Sequence, residues 1–239
     1  MTHLVIGHRG QVGSALMTVL ASRYDVEGID QDDDIDDGLF DVIHVCLPWS
    51  EQFTSIVAED IGDYLRGGGL VIIHSTVPVG TSAALGAVHS PIRGVHPELV
   101  RHIKEFPKFV GGSRAEEAAE LFEACGIKTI VTERSDTTEA LKLWDTLYLG
   151  WNLLYQKEMK RWCDAHDIDF AIAYTQANQT YNDSYSMLGM THVVRPVLKW
   201  MPGPCGGHCV CANAELLDSE LATIFLMFND RWGNDAKED

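Results

Sequence analysis

Short apolar runs alternate with stretches of helical periodicity over the first half of the chain. Residues 3–6, 26–29, 42–47, 70–74, 94–96 and 128–131 read as strands. Residues 12–23, 50–65, 82–88 and 115–125 read as the helices between them. Strand, helix, strand recurs to about Arg134, which predicts βαβ units and a parallel sheet. Between Asp30 and Asp41 lie only the ten residues QDDDIDDGLF, too few for a crossover helix plus a further strand. The aspartates there are expected to form a solvated surface loop rather than a metal site.

From Ser135 the pattern turns to helix without strands. Ser135, Asp136 and Thr137 are N-cap candidates, with Glu139 as acidic first-turn support. Leu141, Trp144, Tyr148, Trp151, Tyr155 and Trp162 recur at three and four, one stripe on a helix of about thirty residues ending near His166. So many aromatics on one face imply burial against another helix or another subunit. Glu158 interrupts the stripe, either paired at a helix interface or turned toward a site. Further helices are expected over 174–188 and 193–200, and the polar stretch 229–239 is expected to fray. The pattern divides the chain into 1–134, an α/β domain, and 135–239, a smaller all-helical domain.

Composition narrows the partners. The net charge is −17, from 35 acidic and 18 basic side chains. Phosphate neutralisation needs clustered Lys and Arg, so a nucleic-acid partner is not expected, nor an anionic membrane surface. No run of about 18 apolar residues is present to span a bilayer, and no signal peptide is visible. Of six cysteines, Cys46, Cys125 and Cys163 lie in apolar surroundings. Buried free thiols in a reducing cytoplasm are the simplest expectation.

The segment LVIGHRGQVGSAL puts Gly7, Gly10 and Gly13 between a strand and a helix. Glycines there let the backbone turn tightly and approach a pyrophosphate at the helix N-terminus. Read as G-x-G-x-x-G, His8 takes the place of the first glycine. Asp30, seventeen residues past Gly13, is placed to accept from adenosine ribose hydroxyls and to repel a 2′-phosphate. The expectation is a Rossmann-type domain that binds NAD rather than NADP. Its contact set is Gly7, Gly10, Gln11, Val12, Gly13 and Asp30, with Leu47, Pro48, Ser75 and Thr76 after later strands.

Three further segments carry a resemblance: HSTVPVGTS (74–82), GVHPELVRHIKEFPKFVGGS (94–113) and GPCGGHCVCANAELL (203–217). With TEALKLWDTLYLGWNLLYQKEMKRWCDAHDID on the long helix, the chain resembles the UDP-glucose/UDP-N-acetylmannosamine (nucleotide-sugar) dehydrogenases, in order from Val5 to about Leu217. The resemblance implies oxidation of a sugar alcohol with NAD, Cys209 as nucleophile, Lys142 as oxyanion stabiliser, and Glu98 and Thr76 lining the site. A cysteine thiohemiacetal would be the species oxidised in the second step. The chain departs from the family at Thr146 (an Asn there), at Asn213 (an Asp that positions water) and at Cys211-Ala212 (a Pro-Lys). The family's third domain, a second Rossmann unit, has no counterpart before Asp239, so a smaller substrate or lost activity is an open expectation.

Other readings stand beside this one. Cys205, His208, Cys209 and Cys211 offer soft ligands, but C-x₂-H-C-x-C is crowded for a tetrahedral centre and no metal is expected. Structural thiols are the other alternative. GVHP and GHRGQVG also fit a prephenate- or 3-hydroxyacid-dehydrogenase-like enzyme, although GGHC does not. A non-catalytic NAD-binding protein is the third reading. In all of them a small molecule and a homodimer through the helical domain are the expected partners.

Overall fold

The computed structural model describes residues 1–31, 33, 38–95, 97–205 and 209–235. The expected aspartate loop falls largely outside this range, as do His96, His208 and the last residues of the tail. Contacts divide the chain into two compact units, Met1–Lys142 and Leu143–Asp239. The division falls inside the long helix rather than at its start.

Unit 1 is built on a seven-stranded sheet in the order β2-β1-β3-β4-β5-β6-β7. The strands are β1 (Thr2–Ile6), β2 (Asp25–Ile29), β3 (Phe40–Val45), β4 (Leu65–Ile73), β5 (Val88–His89), β6 (Lys108–Gly111) and β7 (Thr129–Thr132). Every pairing is parallel except a single antiparallel bridge between β5 and β6. Side chains alternate across a strand, so each strand feeds two cores. Val5, Val42 and Ile72 pack under α1 (Gln11–Leu20), α4 (Leu99–Glu105) and α5 (Ala115–Ala124). Leu4, Ile43 and Ile73 pack on the opposite face with Phe53 and Val57 of α2 (Phe53–Tyr64). Each such fully buried aliphatic side chain contributes about 2 kcal/mol.

Two strand expectations change. Residues 94–95 form no strand, and Gly94 has φ +133°; the bridge strand is Val88–His89 instead. Residues 108–111 carry a strand that opens on Lys108, a residue whose charge hides a buried position in a pattern reading. The short α3 (Thr81–Ala84) ends before the expected 88.

The long helix α6 (Ser135–Ala165) begins and ends as expected, but Glu139 does not serve its own first turn. Its buried carboxylate accepts from the backbone N–H of Gly80 at 2.6 Å and of Ser82 at 2.8 Å. This ties the loop after β4 to α6 through a charge-assisted pair of bonds.

Unit 2 consists of the rest of α6, a π-helical turn (Ala171–Gln176), α7 (Ala177–Met187), α8 (Val210–Glu215) and α9 (Glu220–Asp235). Leu147 and Leu154 pack with Val210, Ala214 and Phe225. Gly150 makes this possible, since a Cβ there would lie 2.8 Å from both Phe225 and Val210. The buried face of α6 is therefore the Leu143–Leu147–Leu154 side. Of the expected aromatic stripe, Trp144 (43% exposed), Tyr148 (62%), Tyr155 (65%) and Trp162 (54%) point outward, and only Trp151 joins the core. Glu158 accepts from Trp232 Nε1 at 3.1 Å and pairs with Arg161.

The stretch 193–200 is irregular, not helical. Pro196 lacks an N–H and restricts Arg195 before it. The segment is held instead by Asn182, which accepts from Arg195 N–H at 2.8 Å, and by Gln156, which donates to Leu198 O at 2.6 Å. Nor does position 229 fray. α9 runs to Asp235, and Asn229 accepts from Cys205 N–H at 2.7 Å. Among the described residues no helix is long and apolar enough to cross a membrane.

Candidate functional site

The C-terminal ends of β1 to β4 carry most of the sequence-selected residues of unit 1. Because β1 pairs β2 on one side and β3 on the other, successive connections leave in opposite directions there. Ligands of open α/β sheets bind in the crevice formed by such a switch. Gly7, at the end of β1, adopts φ +83°, the left-handed turn that favours glycine. At Gly13 a Cβ would collide with the Gly7 carbonyl oxygen, so close approach demands glycine there too. Gly10 caps α1 at φ −68° and ψ 161°, a conformation open to any residue.

The departure at His8 has a structural counterpart. Its ring lies over Gly28 of β2, where any side chain would overlap it. His8 Nδ1 then sits 3.5 Å from Asp30 Oδ2, and Arg9 N–H donates to that same oxygen at 2.8 Å. Asp33, which pattern reading left inside the aspartate run, pairs with the Arg9 guanidinium and accepts from Asp30 N–H at 2.9 Å. Asp30 is thus aimed back at the glycine loop by its neighbours. Leu47 and Pro48 follow β3, and Ser75 and Thr76 follow β4; Ser75 is buried and Thr76 half-buried.

These residues fit a dinucleotide. The first N–H groups of α1, those of Gln11, Val12 and Gly13, have no carbonyl one turn earlier to bond and carry the positive end of the helix dipole. No Cβ at Gly13 intrudes on the cradle, and a carboxylate stands at the end of β2.

Lys142, the last residue of unit 1, donates from Nζ to Ile92 O at 2.9 Å. Glu98 is exposed and precedes α4 without capping it through its side chain.

In unit 2, Cys209 is exposed at the start of α8, whereas Cys205 is buried and Cys211 half-buried. Burial pushes the Cys205 thiol up to about 11, and raises that of Cys211 with help from Glu215. Asn213 and Thr146, two of the positions that depart from the pattern the chain resembles, touch each other. Asn213 Nδ2 donates to Thr146 Oγ1 at 3.0 Å inside the unit. Among the described residues no group of three or more His, Cys, Asp or Glu is placed to hold a metal ion.

No protein-family model matches the chain. A UDP-N-acetyl-D-mannosamine dehydrogenase of Methanocaldococcus jannaschii is 28% identical over 192 residues, 74% of this chain and 42% of that protein. The chain therefore spans less than half the length of this curated relative. Among solved structures, UDP-D-ManNAc dehydrogenase from Pyrococcus horikoshii matches with a TM-score of 0.82 at 18% identity, covering 100% of this chain and 70% of that one. The 3-hydroxyisobutyrate dehydrogenase of Mycobacterium tuberculosis matches with a TM-score of 0.68 at 15% identity, covering 98% and 94%. The resemblance read from the motifs is thus present across most of the sequence, and the α/β fold with a helical second part is the one those dehydrogenases share.

Proposed function

We propose that this chain, similar in sequence to the nucleotide-sugar dehydrogenases, is an NAD-dependent dehydrogenase that oxidises the alcohol of a small molecule through Cys209. The observation that carries the reading is the β1–α1 turn, where Gly7 and Gly13 are required by geometry and Asp30 is held beside the loop. In this reading the free N–H groups of Gln11, Val12 and Gly13, with Gly10 before them, take the pyrophosphate. Asp30 accepts from the adenosine ribose, and Leu47, Pro48, Ser75 and Thr76 wall the site. The bound nicotinamide supplies a hydride acceptor.

The chain's own chemistry then centres on the thiol. The Cys209 thiolate adds to the carbonyl carbon of the aldehyde stage, forming an S–C bond and moving the π pair onto oxygen. Lys142 donates to that oxyanion. Loss of hydride from carbon leaves a thioester, and water cleaves it to the acid and the free thiol. Glu98 and Thr76 line the substrate. Asn213 orients water without taking its proton, since an amide is no base at neutral pH.

The protein is further proposed to work as a homodimer in a reducing, cytoplasmic setting. The outward aromatics of α6 and the free state of all six cysteines support this.

A second reading, a 3-hydroxyacid-type dehydrogenase, draws on the fold match that covers nearly all of that shorter enzyme. NADH formation over a panel of UDP-sugars and 3-hydroxyacids separates the two. NADH from a UDP-sugar, abolished by Cys209→Ala, supports the thiol route. NADH from a 3-hydroxyacid that survives this substitution supports the second reading, and no NADH from any of them points to a non-catalytic NAD binder.

A further inference from the structure

Three histidines and a lysine cross the sheet of unit 1, and the dehydrogenase reading leaves them unused. His44 on β3 lies opposite Val5, two residues past His3 of β1, and opposite Ile72, two before His74. The three rings therefore share one face of the sheet. His3 Nδ1 is 2.9 Å from His44 Nε2, His44 Nδ1 is 3.1 Å from His74 Nε2, and His74 Nδ1 is 2.7 Å from the Ser90 carbonyl oxygen. All are buried. A carbonyl oxygen only accepts, so His74 Nδ1 carries the proton and donates. Its Nε2 then accepts from His44 Nδ1–H, and His44 Nε2 accepts from His3 Nδ1–H. One carbonyl sets the tautomer of three rings and leaves the lone pair of His3 Nε2 without a partner.

The consequence falls on Lys108, also buried. Its Nζ lies 2.9 Å from Ser90 O, 3.4 Å from Pro91 O and 3.3 Å from His74 Nδ1, over the Phe122 ring at 4.9 Å. His74 Nδ1 already carries a hydrogen and cannot accept, so the ammonium rests on two backbone carbonyls. The next carbonyl, that of Ile92, accepts from Lys142. Segment 90–92 thus holds two lysines on three successive carbonyls.

The titratable groups facing Lys108 are His74, His44, Cys46, His89 and Lys142, with Arg93 and His102 across a cavity of about 10 Å³, room for one water. None of these is a carboxylate. Burial, reinforced by Lys142, lowers the lysine to about 7.

We propose that Lys108 is a pH-responsive positioning residue for Lys142: its ammonium draws the Ser90 and Pro91 carbonyls inward and so places the Ile92 carbonyl on which Lys142 rests. Protonated, it makes charge-assisted bonds to segment 90–92; deprotonated, it releases them in part and relieves Lys142 of a neighbouring like charge. The importance given to Lys142 rests on the dehydrogenase reading. The coupling between the two lysines does not.

The test is the ¹³C spectrum of the full chain labelled at lysine, titrated from pH 6 to about 9, with Lys108→Met and Lys142→Met for assignment. The expected result is a Lys108 signal that titrates near neutrality and a smaller inflection of the Lys142 signal at the same pH. Lys108→Met abolishes that inflection. Lys108→Arg, whose charge persists throughout, also abolishes it and serves if the methionine variant fails to fold. A Lys108 signal titrating in the ordinary lysine range, or a Lys142 inflection that survives both substitutions, overturns the proposal. In the NADH assay, Lys108→Met should remove the limb of the pH profile that follows Lys108 near neutrality, since the titrating group is gone. Absence of NADH from every substrate, with the coupled inflection present, sinks the dehydrogenase reading while the lysine coupling stands.

Discussion

Cys209 and its loop neighbours differ in ways that labelling can read. Cys209 is exposed, whereas burial raises the thiols of Cys205, Cys211, Cys125 and, to about 12, Cys46. The thiolate is the reactive form, so alkylation at mildly alkaline pH followed by mass spectrometry should modify Cys209 first. Bound NAD should slow it. Equal labelling of Cys205, Cys209 and Cys211, untouched by NAD, would make the loop merely structural. Single residues were legible in the sequence where their chemistry is local. Gly7, Gly13 and Asp30 stand at a strand–turn–helix whose glycine and acid spacing announces itself. Lys108, His44 and His74 were not, because their meaning depends on strand register. A histidine in each of three apolar strands was the one available hint.

At the scale of elements, the clamp between α6 and the loop before α3 is the least visible feature of the sequence. Glu139 lies 59 residues from Gly80 and 57 from Ser82, so no local pattern links them. Glu139→Gln keeps the shape but presents an amide N–H₂ to one of two backbone donors. It should destabilise unit 1 by about 2–3 kcal/mol, the scale of a hydrogen bond to a buried charge with its partner left unpaired. Chemical denaturation followed by circular dichroism measures it, and a change under about 0.5 kcal/mol would show that water replaces the carboxylate. Strands β1 to β4, helices α1, α2 and α5 and the length of α6 were readable from period alone. The same period drew out the aromatic stripe of α6, most of which faces outward in the single chain, and passed over the smaller stripe of Leu143, Leu147, Gly150 and Leu154 that is buried within it. Pro196 was the local sign against a helix over 193–200.

For the molecule as a whole, acid should be the vulnerable side. Burial lowers His3 to about 4 and His89 to about 3, and holds His44 and His74 well below the usual imidazole range. The unfolded chain takes up these protons below about pH 6.5, so stability falls as pH drops from there toward 4. At pH 5 each imidazole kept neutral forfeits about 2 kcal/mol. Lys108, lowered from 10.5 to about 7 when folded, adds the same sign at higher pH, its contribution being lost as pH falls from 10.5 toward 7, where the loss is complete. Calorimetry should show Tm falling by about 10 °C or more between pH 7 and 5; a flat profile would mean that the rings are solvated. Assembly is checked by light scattering at high micromolar concentration, where a dimer mass is expected and a monomer mass would leave the outward aromatics of α6 unexplained.

The central claim, that unit 1 is an NAD site organised by the glycine turn and Asp30, meets its most direct test in paired calorimetric titrations with NAD and NADP. The account predicts saturable NAD binding and weaker NADP binding. Asp30→Ala should narrow the difference by no more than about 1.5–3 kcal/mol, the worth of a hydrogen bond to a charged group. NADP binding as tight as NAD, or no binding of either, would contradict it.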